Sequence, residues 1–516
     1  MREFTNKFHR ELTTGLNPDA SSYRRSVGLE TATNVEATPY GLESAQLITD
    51  PFAGAKTDDW PWPQLIHGRE ITLLAFKDTI HLVNESTWTS ALISLVELDG
   101  STAETLTADG QWHFADAGDS WYLFNGIDTV FRTGILKFDD FTTESLTFAQ
   151  SAITIKTGCV HRGRVITAGF DYADGLGEQL SAMLVDWEGD LPKWNEVTSE
   201  GIGPNFVAWS SIGGADFPLW FMAPSGSAYA EDLRLNTDSV LDRTMQNEMG
   251  FMPMMFQGAI LKVLPLDKHV IIYGEEGIAA LTLVEGQYAY RTILPFGIES
   301  RGAAGGDDSG HMFMSDKGQL WLIRPDLSLT RLDYSDHLTG LLTNDPIVTL
   351  DSREKKFYIG VENEGYVLTK VGDSRALTEH RQQLTSLVDL QGDSLGLFTD
   401  NATATALVVT GPFDLGLRTI KTINSVGLAL DSNVVVEVAL DYRYDKGAAF
   451  VRSAFVPVNP EGNAHLRISA VDFRVVIRCA DYTDFLLDNI DVRWHSVDKR
   501  VIRGPIAATP DADAVN

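Results

Sequence analysis

Asp307, Asp308 and His311 stand together in the stretch GDDSGHMFMSDKGQLWLIRPDLS, residues 306–328. Two carboxylates beside an imidazole are a set that can move protons, with the histidine as acid or base and a carboxylate to orient it. The same stretch also reads as strand, tight turn, strand: HMFM, then SDKG, then QLWLI. Here the Asp316 carboxylate would accept backbone N–H groups across the turn. Gly318 would supply the awkward φ, and Trp321 would pack between sheets. Asp307, Asp308 and His311 then fall in a solvated loop ahead of the strand, and that is the expectation.

Other candidate chemistry is thin. FDYADGLGE (170–178) gathers Asp171, Asp174 and Glu178 in a glycine-rich loop, but without the D-x-D-x-D-G spacing of a calcium loop. Asp58 and Asp59 in KTDDWPWP fit an extended, proline-fixed segment better than an acid pair, because each proline pushes the residue before it out of helix. HRGR (161–164) reads as an exposed turn. Cys159 and Cys479 are the two cysteines and sit beside apolar strand residues, as buried free thiols do. No G-x-S-x-G, H-E-x-x-H or P-loop pattern occurs. No catalytic, cofactor-binding or metal-binding residue is assigned. The one candidate contact group is Met249, Met252, Met254, Met255 and Phe256, where flexible thioethers suit an adaptable partner surface.

The chain has 71 acidic against 41 basic residues, a net charge of -30. So negative a surface repels nucleic acid and anionic membranes, and excludes a broad basic footprint for gripping DNA. No apolar run is long enough to span a membrane, and the N-terminus lacks a signal-peptide core, so synthesis and folding in a cytoplasm are expected.

The elements that would position these residues are short strands in pairs. Hairpin turns are expected at Lys77-Asp78, Asn125-Gly126, Asp174-Gly175, Ser225-Gly226, Glu275-Glu276, Asp316-Lys317-Gly318 and Glu362-Asn363. They recur at about 40–50 residues, the period of propeller blades. Asn125-Gly126 is expected as a two-residue loop with positive φ at both positions. The predicted fold is all-β: a propeller of about six to eight blades, best read as seven, with a C-terminal β-sandwich-like domain. Residues 1–60 are expected as a loop-rich N-terminal arm and 61–414 as the propeller. A helical, Met-rich insertion falls near 230–256, the C-terminal β domain covers 415–495, and 496–516 form a flexible tail. A β-sandwich array is the rival architecture.

Two resemblances follow. DKGQLW (316–321) resembles the D-x-G-x-x-W part of the Asp-box of sialidase-type propellers, with Met314 where that box has serine. The order of NVEATPYGLE (34–43), a proline-punctuated segment, propeller-like blades and a β-rich end closing in FLLDNIDVRW (485–494) resembles the tail-nozzle, or packaged-DNA stabilisation, proteins of short-tailed bacteriophages. The pair QGAILKVLPLDKHVIIYGEEGIAALTL (257–283) and PFGIESRGAAGGDDSGHMFMSDKGQLWLI (295–323) carries that layout most clearly. The resemblance implies a non-enzymatic structural protein of the virion, made in the host cytoplasm. It implies a homo-oligomeric ring, usually a hexamer, below the portal and its adaptor. The ring continues the DNA channel, retains the packaged genome and conducts it during ejection, without sequence-specific binding. Contacts to other tail proteins are expected from the N-terminal arm, the Met-rich segment and the C-terminal sheet. The alternative is a propeller glycosidase or glycan-binding tail protein.

Overall fold

The computed structural model describes residues 3–19, 28–45, 64–67, 72–76, 79–84, 86–92, 94–97, 112–117, 120–127, 129–134, 145–172, 204–213, 249–338, 341, 345–361, 364–372, 374–380, 384–390, 393–398, 405–417, 419–432, 434–479 and 485–496. Strands dominate them. The helices among them are one short turn at Arg10–Thr14, another at Ser335–Leu338 and a 3-10 turn at Arg301–Ala303. The helix expected near 230–256 lies outside the described residues as far as 248. From 249 onward the segment is a bend followed by the strand Gly250–Pro253.

Successive up-and-down sheets follow one another along the chain. The first spans 64–92, the fourth 260–294, the fifth 304–332 and the sixth 347–379. Each has four antiparallel strands, the sixth as part of a larger sheet. The second and third share the long strand Ser145–His161. Its first half pairs with Thr129–Gly134 and closes the second blade; its second half pairs with Arg164–Tyr172 and opens the third. Ser94–Glu97 adds in parallel to the outside of the second blade. The seventh is described only in Leu384–Leu390 and Asp393–Phe398.

Neighbouring sheets touch through their first strands. His113–Asp116 packs beside Ser145–His161, then come Ile260–Leu266, Ala304–Asp307, Ile347–Asp351 and Leu384–Leu390, and the last packs beside Gln64–His67 of the first blade. These contacts run from the second blade through the seventh to the first, and the first strands are the innermost ones. Among the described residues the fold is an all-β propeller with seven blade sheets.

Burial follows this arrangement. His269–Gly274, covered on both faces by neighbouring blades, is apolar and buried from Val270 onward. Gln287–Leu294, at a blade's outer edge, alternates between exposed and covered positions instead. Each large apolar side chain fully buried in this way contributes about 1.5–3 kcal/mol.

Two-residue turns with positive φ at both positions do occur, but at Arg162-Gly163 and Glu285-Gly286. At Asn125-Gly126 only the glycine has positive φ (82°), and the buried Asn125 carboxamide accepts the Ile127 N–H at 3.0 Å. The side chain closes a longer loop there, so the expected two-residue geometry is not formed.

The C-terminal region is a two-sheet sandwich. One sheet is built around Lys421–Ser432 and Phe485–Ser496, the other around Val436–Arg443 and Asp472–Cys479. Val438, Leu440, Val475 and Ile477 from one sheet meet Val426, Leu428, Ile490 and Val492 from the other in a common core. Two expected boundaries change here. The described parts of residues 1–60 are not an arm. Phe4–Phe8 pairs with Phe485–Ser496, Gly41–Ser44 pairs with the same strand, and Leu29–Thr33 pairs with Ala406–Thr410. Leu12, Leu16, Leu29 and Val35 are fully buried in the shared core. The division at 414/415 is crossed as well, because Ala406–Thr410 is a strand of the sandwich, paired with Asp472–Cys479. Local periodicity could not show this, since each N-terminal strand finds its partner hundreds of residues away.

The N-terminal strands also fasten the sandwich to the propeller. Thr33 pairs in parallel with Glu379 of the sixth blade, and its hydroxyl donates to the Glu379 carboxylate. Lys356 of that blade forms a 2.6 Å ion pair with Glu36, whose side chain is 2% exposed. Farther on, the Asp19 carboxylate accepts the Ser335 and Asp336 N–H groups at 2.6 and 2.8 Å, capping the short helix after the fifth blade.

Candidate functional site

The acid–histidine stretch is held by the fold at every point. Asp307 ends an innermost strand and Gly310–Met314 begins the next. The Asp307 carboxylate accepts the Ser309 N–H at 2.8 Å and the Ser309 hydroxyl, and meets Lys355 Nζ of the next blade at 3.1 Å. Burial alone would raise its pKa; the Ser309 and Lys355 bonds outweigh that and hold the carboxyl below its ordinary value. Asp308 Oδ1 accepts the Asp267 N–H at 3.3 Å across the blade junction.

His311 departs from expectation. It is fully buried, not solvated in a loop. Its Nε2 lies 2.7 Å from the Pro265 carbonyl, which can only accept, so Nε2 carries the proton. Nδ1 therefore accepts from the Tyr273 hydroxyl at 3.0 Å. Burial pulls the imidazole down to about 4, against smaller opposing effects of the Pro265 carbonyl and Asp307. A neutral ring with both nitrogens committed is a crosslink between the fourth and fifth blades and holds no free valence for catalysis.

In DKGQLW it is Ser315 Oγ that accepts the Lys317 and Gln319 N–H groups, at 3.3 and 3.2 Å. Gly318 has φ 70° as expected, but the bonds assigned to the Asp316 side chain are made by its neighbour. Trp321 stacks with Phe313 and tilts against Phe296, with centroids 6.4 and 5.7 Å apart.

Most of the Met-rich group belongs to the core. Met249, Met254 and Phe256 are 1%, 3% and 9% exposed, and Met252 packs beside them against the third and fourth blades. Phe256 lies over Gly274 and Gly277, where an added Cβ would meet its ring at 2.4 and 2.7 Å. Met255 alone of the five is open, at 82%. Thioethers fill the irregular gap between two blades, and the contact surface expected from all five reduces to that one side chain. Cys159 and Cys479 are buried free thiols, as expected. The acids of KTDDWPWP, and Asp174 and Glu178, lie outside the described residues.

Sequence reasoning passed over a basic cluster where the innermost strands begin. His113 starts the innermost strand of the second blade, Lys262 lies near the start of the fourth's, and Arg301 immediately precedes the fifth's. Lys262 Nζ donates to the Ala304 carbonyl at 2.6 Å. Arg301 reaches to the second blade, donating from Nη1 to the Asn125 carbonyl at 2.8 Å and from Nη2 to that of Phe124 at 3.3 Å. His113 Nδ1 lies 3.2 Å from Thr157 Oγ1, which also accepts the Val263 N–H at 3.1 Å.

All three side chains are half-buried. Burial pulls Lys262 down to about 7, with Arg301 adding to the effect, and pulls Arg301 down to about 9. It holds His113 well below its ordinary value, with both cations adding. Neither cation has a carboxylate partner among the described residues, and Arg301 Nε is buried with no hydrogen-bond partner there. The available signal was one of placement: a lone Lys262 and a lone Arg301, each at the head of a first strand.

No family model matches the chain, and no curated protein matches it in sequence. Among solved structures it is similar to Kluyveromyces lactis Hsv2 at 9% identity and TM-score 0.32, covering 61% of this chain and 84% of that one. The WD40 domain of Neurospora crassa Pan2 is similar at 6% identity and TM-score 0.35, covering 70% and 90%. The extracellular domain of the one-component system BT4673 of B. thetaiotaomicron is similar at 8% identity and TM-score 0.37, covering 88% and 61%. The blade assignment rests on the strand pairing of this chain.

Proposed function

We propose that this protein is a non-enzymatic structural component of a short-tailed phage virion: a nozzle subunit that forms a ring, about six copies by the resemblance, below the portal and adaptor. The observation that carries the reading is the fusion of propeller and sandwich through strands from both ends of the chain. A ring that retains a genome under pressure needs subunits that do not flex between their parts, and shared sheets supply that. Two further features support it. Asp307, Asp308 and His311, where a catalytic reading would begin, are used as crosslinks. The net charge of -30 suits a wall along which DNA slides without being held.

The test is assembly on the adaptor ring. Purified protein mixed with adaptor should form a closed ring, seen by electron microscopy, that is inactive against glycans. A protein that stays monomeric beside the adaptor and binds or cleaves an oligosaccharide would support the propeller glycosidase or glycan-binding alternative instead.

A further inference from the structure

We propose that the cluster of Lys262, Arg301 and His113, where the innermost strands begin, is a binding site for a small dianionic oxyanion, of which inorganic phosphate is the simplest. Lys262 Nζ and the Arg301 guanidinium are each held in place by backbone carbonyls, at 2.6 Å and at 2.8 and 3.3 Å, so they are preorganised. Carbonyls fix a cation's position but do not neutralise it. Two cations enclosed together without a carboxylate are costly unless an anion joins them. Arg301 Nε, buried and with no partner among the described residues, has a donor left for such an anion. His113 stands beside both cations and is held neutral by burial, with its Nδ1 3.2 Å from Thr157 Oγ1. Two positive charges and the spare Arg301 donor match a doubly charged tetrahedral anion.

The three groups come from three blades, so a bound anion would tie the second, fourth and fifth blades together at the axis. Glycine keeps the approach open. A Cβ on Gly126 would stand 3.0 Å from Arg301 Nη1. The inference stands apart from the virion reading.

The experiment is calorimetric titration of the full chain with sodium phosphate, against sodium chloride at equal ionic strength, paired with thermal melts. Phosphate should bind saturably near one per chain and raise Tm with the logarithm of its concentration, whereas chloride should do neither. Lys262→Met and Arg301→Gln should each weaken binding at least about tenfold while keeping the strand circular dichroism of the parent. If Arg301→Gln fails to fold, Lys262→Met decides alone, since it breaks only one bond to a carbonyl. A sulfate titration gives a second readout, because sulfate keeps its charge across neutral pH. Its affinity should rise as pH falls through about 7, as Lys262 takes up its proton, with Arg301 charged throughout and His113 and His311 kept neutral by burial. Absence of saturable binding, or binding as tight in Lys262→Met as in the parent, overturns the proposal.

Discussion

The propeller and the sandwich use the same kind of strand but are assembled by opposite routes. A blade is local: Ile260–Leu266, His269–Gly274, Ile278–Val284 and Gln287–Leu294 follow one another and pair in order. The sandwich is non-local: Phe4–Phe8 lies on Phe485–Ser496, and Leu29–Thr33 on Ala406–Thr410. Losing one hairpin should therefore damage one blade, whereas losing the N-terminal strands removes part of the sandwich, the seam to the sixth blade and the cap on the helix at Ser335.

The largest expected effect breaks the non-local half. Deleting residues 1–45 should abolish cooperative folding and leave the chain insoluble or molten, measured by circular dichroism melts and near-ultraviolet signal. A truncated chain that melts like the parent would make those strands the detachable arm that the sequence suggests.

Next is the seam itself. Glu36→Ala leaves Lys356 enclosed without its partner and should cost about 3–5 kcal/mol by urea unfolding, while Glu36→Met with Lys356→Met should recover most of that. Equal losses in the single and double variants would show that the ion pair contributes nothing specific.

The blade junctions should show themselves as a pH dependence. The folded His311 titrates at about 4 and the unfolded one at an ordinary 6.5. The unfolded chain therefore binds the extra proton between those values, and stability is present above pH 6.5 and lost as pH falls toward 4. One such group contributes of order 3 kcal/mol. The slope of unfolding free energy against pH should flatten in His311→Gln. An unchanged slope would mean that other histidines whose pKa burial lowers, such as His113 and His161, carry the dependence.

Smaller still is a single loop. Gly126→Val puts a branched residue at φ 82° with its Cβ against Arg301, and should cost about 1 kcal/mol or more by thermal melt. Smallest is Asp308→Ala, which removes one long bond and should stay within about 0.5 kcal/mol.

The same contrast explains what was legible in the sequence. Hairpin period, glycine turns and runs such as HVIIY revealed the blades, because a blade's partners are adjacent in the chain. LETAT and FTNKF revealed nothing, because their partners lie far along it. Short polar-apolar strands of that kind look like loop until the second sheet is known. The histidine crosslinks were hidden for a related reason: HMFM reads as a strand, but the groups that engage His311, Tyr273 and Pro265, belong to the preceding blade. The turn at Asn125 was misjudged because its side chain, buried at 3% exposure, replaces the backbone geometry that the dipeptide usually takes. Lys262 and Arg301 carry no motif, and only the packing of neighbouring blades brings them together.

The central proposal is that this two-part body is a ring subunit. The most direct measurement is the mass and shape of the complex formed when the full chain meets a purified adaptor ring, by mass photometry with negative-stain electron microscopy. The account predicts a closed ring of about six copies with cyclic symmetry coaxial with the adaptor. A chain that remains a monomer under those conditions while binding or hydrolysing a glycan would contradict it.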